Sequence, residues 1–422
     1  MAKIKKIHAY EIIDSRGIPT IEGRLVLDNN FEVSTSIPGG TSIGKYEAIE
    51  LRDGDKSRFM GMGVSQAVSY VNDLLGPKLV GVSPLKQMEV DSWLIKADGT
   101  KNKSRLGANT CLTISQLMIK SGAIDSGLPL FKYINKLYQE NFKNEIKINR
   151  IPTPIFNMIE GGKHASDNLD FQEFHFIPSS SNSFSKAYRI GVELFSLLKS
   201  ILQYRSVNLG IGLEGGYTPT ASTNQNAIES LLEVINKKQL QLGVDAFIGL
   251  DVASSSFYKE GFYHIKDSSH PLNTSQYIDF LKKIINKYSL LVLEDPIFEE
   301  DWSSWTKLNQ IISHNMYLVG DDLLTTNKER LMKAIKEKAC STILIKPNQI
   351  GTISETLEVI DIARKNNFNY IISHRSGETN DTLVADLAVA VQSDFVKFGA
   401  PSRGERVAKY NRLWQIEREE LK

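Results

Sequence analysis

The sequence predicts an α/β protein in which a C-terminal (β/α)8 TIM barrel follows a smaller N-terminal α+β domain. Its 422 residues exceed the roughly 250 that one such barrel needs. In the first part of the chain strand-like segments are followed by helical ones, whereas beyond it short apolar runs alternate with helical segments. The length and this change of pattern together indicate two structural units.

The N-terminal unit is predicted to be an antiparallel sheet followed by helices. From residue 4 to about residue 37 apolar and polar residues alternate on either side of a turn-forming DNN segment, as expected of paired strands. Residues 63–139 show helical spacing, with glycine and proline in the gaps. The polar stretch QENFKNEIKINR indicates a linker, so we predict a boundary near residue 140, with domains 1–140 and 141–422.

The C-terminal unit is predicted to be the barrel, because its short apolar runs recur at regular intervals and end on polar or charged residues. These run ends are Asp251, Glu294, Asp321, Lys346, His374 and Lys397. Their spacings of 23 to 43 residues leave room for one strand, one helix and two loops each. Amphipathic segments between them, such as QYIDFLKKIINKY, fit helices that cover the outside of a barrel.

Composition and charge exclude several classes of function. The chain is 41% hydrophobic and 23% charged, with a formal net charge of +1, so it lacks the excess of basic residues that nucleic acid or a membrane surface attracts. No 18-residue apolar run predicts a membrane span, and the N-terminal segment lacks the apolar core of a signal peptide. Two cysteines far apart in sequence fit a reducing compartment, and we expect a cytoplasmic protein.

The strand ends of the barrel predict a metal site. In a parallel barrel the C-terminal strand ends converge on one rim, which brings Asp251, Glu294 and Asp321 together. Carboxylates so close repel one another unless a cation lies among them. Ligation by oxygen alone suits a hard divalent ion, so Mg²⁺ is the expected metal, with Ca²⁺ and Mn²⁺ as weaker alternatives.

Lys346, at the end of the apolar run TILI, is a candidate general base. A metal ion and the nearby Lys397 would disfavour its protonated form and lower its pKa. The corresponding reaction is removal of a weakly acidic proton α to a carboxylate, with the cation stabilising the enediolate that forms. The alternative for Lys346 is an ion pair with Glu294 or Asp321.

Motifs along nearly the whole chain resemble those of the enolase family, the phosphopyruvate hydratases of glycolysis. They include EIIDSRGIPTIE, FQEFHFIP, GLEGGYTP, LVGDDLLTTN, ILIKPNQIGT, ISHRSGETND and ERVAKYNRL, and their order and spacing make the signal highly specific. The resemblance implies a capping N-terminal domain and a modified barrel whose second strand runs antiparallel. It also implies a homodimeric hydro-lyase that dehydrates 2-phosphoglycerate to phosphoenolpyruvate with two Mg²⁺ ions per active site.

The resemblance also assigns roles to residues. Lys346 resembles the proton-abstracting base, and Glu214 resembles the acid that protonates the leaving hydroxyl. Glu173 resembles a further catalytic group beside that hydroxyl. The positions implied to bind substrate are His164, Gln172, Glu173, Ser373, His374, Arg375, Ser376 and Lys397. Those implied to bind metal are Asp251, Glu294 and Asp321 for the first ion and Ser42 for the second.

Four positions depart from the usual family pattern. Gly39 and Ile43 replace a serine and a threonine in the loop that carries Ser42, Glu160 replaces an asparagine, and Leu213 replaces an acid before Glu214. An ordinary divergent enolase explains them most simply. The alternatives are a paralogue that acts on a related phospho- or phosphono-carboxylate, and a binding or scaffold protein that has lost turnover. Lost turnover fits poorly with intact acid and base positions.

Overall fold

The protein is represented by a computed structural model, which describes residues 1–41, 44–165, 168–205, 209–220, 223–312 and 316–420. It confirms the predicted fold class, with a closed barrel of eight strands and a separate small antiparallel sheet. The predicted metal ligand Ser42 and the neighbouring Ile43 lie outside the described residues. None of the described helices is long and apolar enough to cross a membrane.

The N-terminal unit is a three-stranded antiparallel sheet covered by helices. The strands are β1 (Ile4–Ile13), β2 (Pro19–Leu27) and β3 (Glu32–Ser36), in that spatial order. The helices are α1 (Ser65–Ser69), α2 (Gly76–Leu79), α3 (Gln87–Asp98), α4 (Ala108–Asp125) and α5 (Leu130–Phe142), with a π-helical turn at Tyr70–Leu75. Gly23 of β2 lets α4 approach closely, because a Cβ there would lie 2.4 Å from the Thr113 methyl. Residues 143–152 contain no regular element, and the boundary near 140 stays a prediction.

Eight of the later strands close into the barrel. In chain order the strands are β4 (Thr153–Glu160), β5 (Glu173–Pro178), β6 (Leu209–Ile211), β7 (Tyr217–Pro219), β8 (Ala246–Asp251), β9 (Tyr258–Lys259), β10 (Phe262–Tyr263), β11 (Leu272–Asn273), β12 (Val292–Glu294), β13 (Tyr317–Gly320), β14 (Thr342–Ile345), β15 (Asn369–Ser373) and β16 (Phe395–Lys397). The order β4, β5, β8, β12 to β16 closes where β16 pairs with β4. The hairpin β6–β7 extends from β4, and β9 to β11 form a separate small sheet.

The second barrel strand, β5, runs antiparallel to both its neighbours, as the family resemblance implies. The connection from β4 to β5, residues 161–172, carries only a short 3-10 turn in its described part. A parallel neighbour requires a longer crossover, usually through an α-helix. The reversed direction places the start of β5 at the same rim as the ends of its two neighbours. There Glu173 pairs with Glu160 of β4 and with Asp251 of β8.

Helices pack around the barrel as their amphipathic sequences predict. They are α6 (Phe184–Tyr204), α7 (Asn224–Lys237), α8 (Thr274–Tyr288), α9 (Trp302–Ile311), α10 (Lys328–Glu337), α11 (Ile353–Lys365), α12 (Leu383–Ala390) and α13 (Gly404–Glu420). Helix α8 begins at a capping box between Asn273 and Gln276. Helix α12, apolar except for Asp386, is buried along its whole length and packs against α5 and α13.

Apolar side chains fill the barrel interior, so the residues at the rim stand on a packed core. The interior cluster consists of Ile155, Ile177, Val292, Val319, Leu344, Ile371 and Phe395, one from each of seven strands. β-branched and other bulky residues of this kind fill barrels in layers. The polar residues that end the strands therefore lie above a rigid core.

Candidate active site

A small, partly open cavity of about 30 Å³ lies at the barrel rim and is lined almost entirely by polar groups. Most of the residues predicted to form the site line it together. They are His164, Gln172, Glu173, Glu214, Asp251, Asp321, Lys346, Ser373, His374, Arg375, Ser376 and Lys397. Glu294 reaches the same site through a contact with the ammonium group of Lys397.

Lys397 is buried among three carboxylates at the ends of neighbouring strands. Its Nζ lies 2.8 Å from Glu294 Oε2, 2.9 Å from Asp251 Oδ2 and 3.3 Å from Glu173 Oε2. Burial alone would lower the pKa of Lys397, but Asp251, Glu173 and Glu294 outweigh it and hold the pKa well above its ordinary value. Burial and repulsion by Asp251 raise the pKa of Glu294 well above its usual range. Gln172 donates to Asp251 at 3.2 Å and helps to hold that carboxylate.

Lys346 makes an ion pair with Asp321, which was the alternative expected from the sequence. Burial lowers the pKa of Lys346, but the Asp321 carboxylate outweighs it, and the net pKa is raised. The lowering that the sequence predicts refers to a site with a bound metal ion and stays a prediction, and the sequence did not show how directly Asp321 contacts the amine. Gln349 Nε2 donates to the other oxygen of Asp321 at 3.2 Å.

The residues present fit a hard divalent cation. The side chains of Asp251, Glu294 and Asp321 offer oxygen only, and Glu294 Oε1 is buried without a hydrogen-bond partner in the part of the chain that the structure describes. The carboxylates that line the cavity outnumber its lysines and arginines. The ligand atoms of these three acids do not form one close group among the described residues, since Lys397 holds two of them and Lys346 the third.

Glu214 lies on the tight turn between β6 and β7. Gly215 has φ = +95°, a backbone conformation that glycine allows at low cost. Glu214 Oε2 lies 2.9 Å from His374 Nε2 and accepts a weaker bond from Asn157 Nδ2 at 3.4 Å. Burial and Glu173 raise the pKa of Glu214, but the two neighbouring histidines outweigh them, and the pKa falls to about 2.

His164 stands between the two glutamates. Its Nδ1 lies 3.1 Å from Glu173 Oε1 and 3.7 Å from Glu214 Oε1, within ion-pair distance but not aligned for a hydrogen bond. Burial lowers the pKa of His164, yet the negative charges of Glu214 and Glu173 outweigh it and raise the pKa to about 9. The other oxygen of Glu173 lies 2.8 Å from His175 Nε2.

Glu160 supports the turn that carries Glu214 from below. Its carboxyl accepts hydrogen bonds from the backbone N–H of Glu214 at 3.1 Å and of Gly216 at 2.5 Å, and its side chain is fully buried. The carboxyl lies so close that a Cβ on Gly212 would be 2.0 Å from Glu160 Oε2. Glu160, which replaces the family's usual asparagine, therefore holds the backbone of this turn.

The buried carboxyl of Glu160 predicts a dependence of stability on pH. Burial and repulsion by Glu214 raise its pKa from 4.5 to about 8. In this window the folded chain keeps a proton that the unfolded chain releases, so the free energy of unfolding falls as the pH rises. We expect Glu160→Gln to lose less stability than the unmodified chain between about pH 5 and about pH 8 in urea unfolding. Equal losses would contradict this, and the exposed Glu145→Gln serves as control.

Arg375 and Ser376, two of the positions implied to bind substrate, contact the N-terminal domain. Arg375 Nη1 donates to Glu47 Oε2 at 2.8 Å and to Asn348 Oδ1 at 3.0 Å. The hydroxyl of Ser376 accepts from the Thr41 backbone N–H at 2.9 Å. Residues 39–41 therefore lie against this side of the cavity. Ser373, below it, donates to the His374 carbonyl at 3.0 Å.

Sequence reasoning missed several residues at the site. Those that line the cavity are Gly40, Thr41, Glu47 and Asp322, and those that contact its residues include His175 and Arg406. A signal for His175 was present, because it lies two residues after Glu173 and so points to the same face of its strand. Glu47 and Arg406 are far from the strand ends in sequence, and only the folding of a loop and of helix α13 brings them to the rim.

Comparisons with known proteins identify the same family over nearly the whole chain. A family model described as "Enolase, N-terminal domain" matches residues 4–134, and one described as "Enolase, C-terminal TIM barrel domain" matches residues 148–422. A protein named Enolase from Ehrlichia canis (strain Jake) is 43% identical over 416 residues, which cover 99% of this chain and 96% of that protein. Another, from Ehrlichia chaffeensis (strain ATCC CRL-10679 / Arkansas), is 42% identical over 415 residues, with 98% and 96% covered. The chain therefore belongs to the enolase family, the hydro-lyases also called phosphopyruvate hydratases.

Proposed function

We propose that the rim cavity dehydrates 2-phosphoglycerate to phosphoenolpyruvate, the enolase reaction of glycolysis, with Mg²⁺ as the metal. The observation that carries the proposal is the pairing of a half-buried amine, Lys346, with a buried carboxyl, Glu214, around one cavity rich in carboxylates. Removal of a proton from carbon and loss of hydroxide need a base and an acid at different points of the substrate. The names of the relatives support the same reaction.

In this proposal Lys346 and Glu214 perform the proton transfers. The uncharged Nζ of Lys346 accepts the proton from the carbon α to the carboxylate, and an enediolate forms. Glu214, whose pKa the negative charges of the bound substrate would raise from about 2, then gives a proton to the leaving hydroxyl, which departs as water, while the carbon–carbon double bond forms. Glu173 and His164 lie beside Glu214 and would orient that hydroxyl together with Gln172.

The metal ligands proposed are Asp251, Glu294 and Asp321 for one Mg²⁺ and Ser42 for a second. Bound Mg²⁺ would supply positive charge that stabilises the enediolate. Ligation would also engage the carboxylate of Asp321 and so weaken its hold on Lys346 Nζ, which favours the neutral amine. The oxygen-only donor set supports magnesium over softer metals.

The remaining residues bind the two anionic ends of the substrate. Lys397 is proposed to bind the carboxylate, and Arg375 with Ser376 the phosphate, since a planar guanidinium can meet two phosphate oxygens at once. Ser373 and His374 complete the wall on the phosphate side. We also propose a cytoplasmic homodimer, and the two buried free cysteines support the reducing compartment.

A direct assay tests the proposal. Purified protein with 2-phosphoglycerate and Mg²⁺ is expected to generate the ultraviolet absorbance of phosphoenolpyruvate, and removal of the metal with EDTA is expected to abolish it. Re-adding Mg²⁺ should restore it. Absence of product at high enzyme concentration, together with retained binding of metal and substrate, would support the non-catalytic alternative instead.

The acid role of Glu214 has its own test. Glu214→Gln keeps the size of the side chain but cannot release a proton to the hydroxyl, so we expect kcat to fall by about 10²- to 10⁴-fold. Exchange of the α-proton with solvent deuterium, which needs only the base, should continue. Loss of exchange together with turnover would contradict the division of roles, and the exposed Glu145→Gln should behave like the unmodified chain.

A paralogue that uses the same enediolate chemistry is the second candidate. The observation that favours it is the extra buried carboxyl of Glu160 behind the candidate acid. A panel of phosphorylated and phosphonylated hydroxy acids separates the two candidates, because an ordinary enolase should show its highest kcat/KM with 2-phosphoglycerate.

A further inference from the structure

Arg406, in the motif ERVAKYNRL on helix α13, is fully buried and reaches the candidate active site from behind. Its guanidinium donates to three backbone carbonyls of the rim. These are Arg375 at 2.5 Å, Ser376 at 2.6 Å and Leu213 at 3.1 Å. One side chain thus links the candidate phosphate-binding loop to the turn that carries Glu214.

The fourth contact of Arg406 is to the imidazole of His374. Arg406 Nη1 lies 2.7 Å from His374 Nδ1, and His374 Nε2 lies 2.9 Å from Glu214 Oε2. A guanidinium has donors only, so Nδ1 must accept and must carry a lone pair. The ring proton is then on Nε2 and is donated to Glu214.

The packing around the ring holds this orientation. Gly399 leaves room for the imidazole edge, since a Cβ there would lie 2.8 Å from His374 Cε1 and 3.1 Å from Arg406 Cδ. The charged groups around the ring are Glu214, Arg406 and Glu378. Burial, with Arg406 adding to it, lowers the pKa of His374 despite the opposing effect of Glu214.

We propose that Arg406 is a positioning residue that fixes His374 as the Nε2–H tautomer and thereby directs the proton to Oε1 whenever Glu214 is protonated. Glu214 Oε2 already accepts from His374 and from Asn157, whereas Oε1 faces His164. With the opposite tautomer, the bare Nε2 would draw the Glu214 proton to Oε2, away from the leaving hydroxyl. The catalytic consequence rests on the proposed function, but the tautomer itself does not.

The tautomer can be measured directly on the full-length protein by NMR with ¹⁵N-labelled histidine. His374→Gln identifies the His374 signals among the seven histidines. We expect Nδ1 to be unprotonated and Nε2 protonated near neutral pH in the unmodified chain. A protonated Nδ1 would overturn the proposal, whether or not the protein turns over 2-phosphoglycerate, and this measurement needs no variant of Arg406 to fold.

Variants then test the link to Arg406. Arg406→Met removes the donors, and we expect a population of His374 with a protonated Nδ1, while Arg406→Lys should preserve part of the original tautomer. The matched control is Arg412→Met on the same helix, which breaks an ion pair with Asp386 and should leave the His374 signals unchanged. Unchanged His374 signals in a folded Arg406→Met protein would contradict the assignment.

A double-mutant cycle separates the tautomer from general support of the rim. If 2-phosphoglycerate is the substrate, Arg406→Met should lower kcat by about 10- to 100-fold, the size typical of a group that orients a ligand or acid from behind. In the His374→Gln background the amide still donates to Glu214 and has no tautomer to fix, so the same substitution should cost much less. Equal costs in both backgrounds would mean that Arg406 only supports the loop.

Discussion

Replacing Lys346 with alanine is expected to reduce kcat on 2-phosphoglycerate by about 10²- to 10⁴-fold, because the variant has no group to accept the α-proton. KM should change little, since Lys346 is proposed to act on the carbon and not on the charged ends of the substrate. Exchange of the α-proton with deuterium should be lost together with turnover. This pattern is opposite to that expected for Glu214→Gln, in which exchange persists.

Lys336→Ala is the control for Lys346→Ala. Lys336 lies in the last turn of helix α10, outside the cavity, and its loss should leave kcat unchanged. Lys346→Arg adds a second comparison, because arginine keeps the positive charge beside Asp321 but does not give up a proton near neutral pH. Substantial activity in Lys346→Arg would show that this position supplies charge and not a base.

Replacing Lys397 with methionine is expected to have the largest effect on stability. The buried ammonium lies within 3.3 Å of oxygen atoms of Asp251, Glu294 and Glu173, and methionine would leave these carboxylates without it. Breaking a buried ion pair by removing one partner costs about 3–5 kcal/mol. We expect a loss of this size in the free energy of unfolding, measured with urea at low ionic strength.

Two further measurements make the Lys397 prediction specific. Lys365→Met removes an exposed amine that pairs with the buried Asp361 carboxyl at 2.7 Å. Tyr138 still donates to that carboxyl at 3.0 Å, so the loss should be no more than about 1 kcal/mol. Mg²⁺ should stabilise Lys397→Met in the same unfolding experiment, since a ligand that binds only the folded chain adds to its stability. A loss no larger than that of Lys365→Met would show that the three acids are neutral or hydrated without Lys397.

The site of this protein could be predicted in part because strand ends are local features of a sequence. An apolar run followed by one polar residue marks the end of a buried strand, and in a barrel such ends meet at one rim. For that reason Asp251 and Lys397, 146 residues apart, could be expected near each other, and the structure has them 2.9 Å apart. The roles of individual residues came from the family resemblance and not from periodicity.

Tertiary structure alone decided the electrostatics of the site. The pKa of Lys346 depends on which groups lie next to its amine, and the contact with Asp321, which raises that pKa, was not visible in the sequence. Only the folded chain shows that the Glu160 carboxyl accepts a hydrogen bond from the turn that carries Glu214. Likewise, only the folded chain shows that Arg406, on the helix after the last barrel strand, contacts His374. Periodicity determines which face of an element is buried, whereas a hydrogen bond depends on ångström distances between elements that only the folded chain brings together.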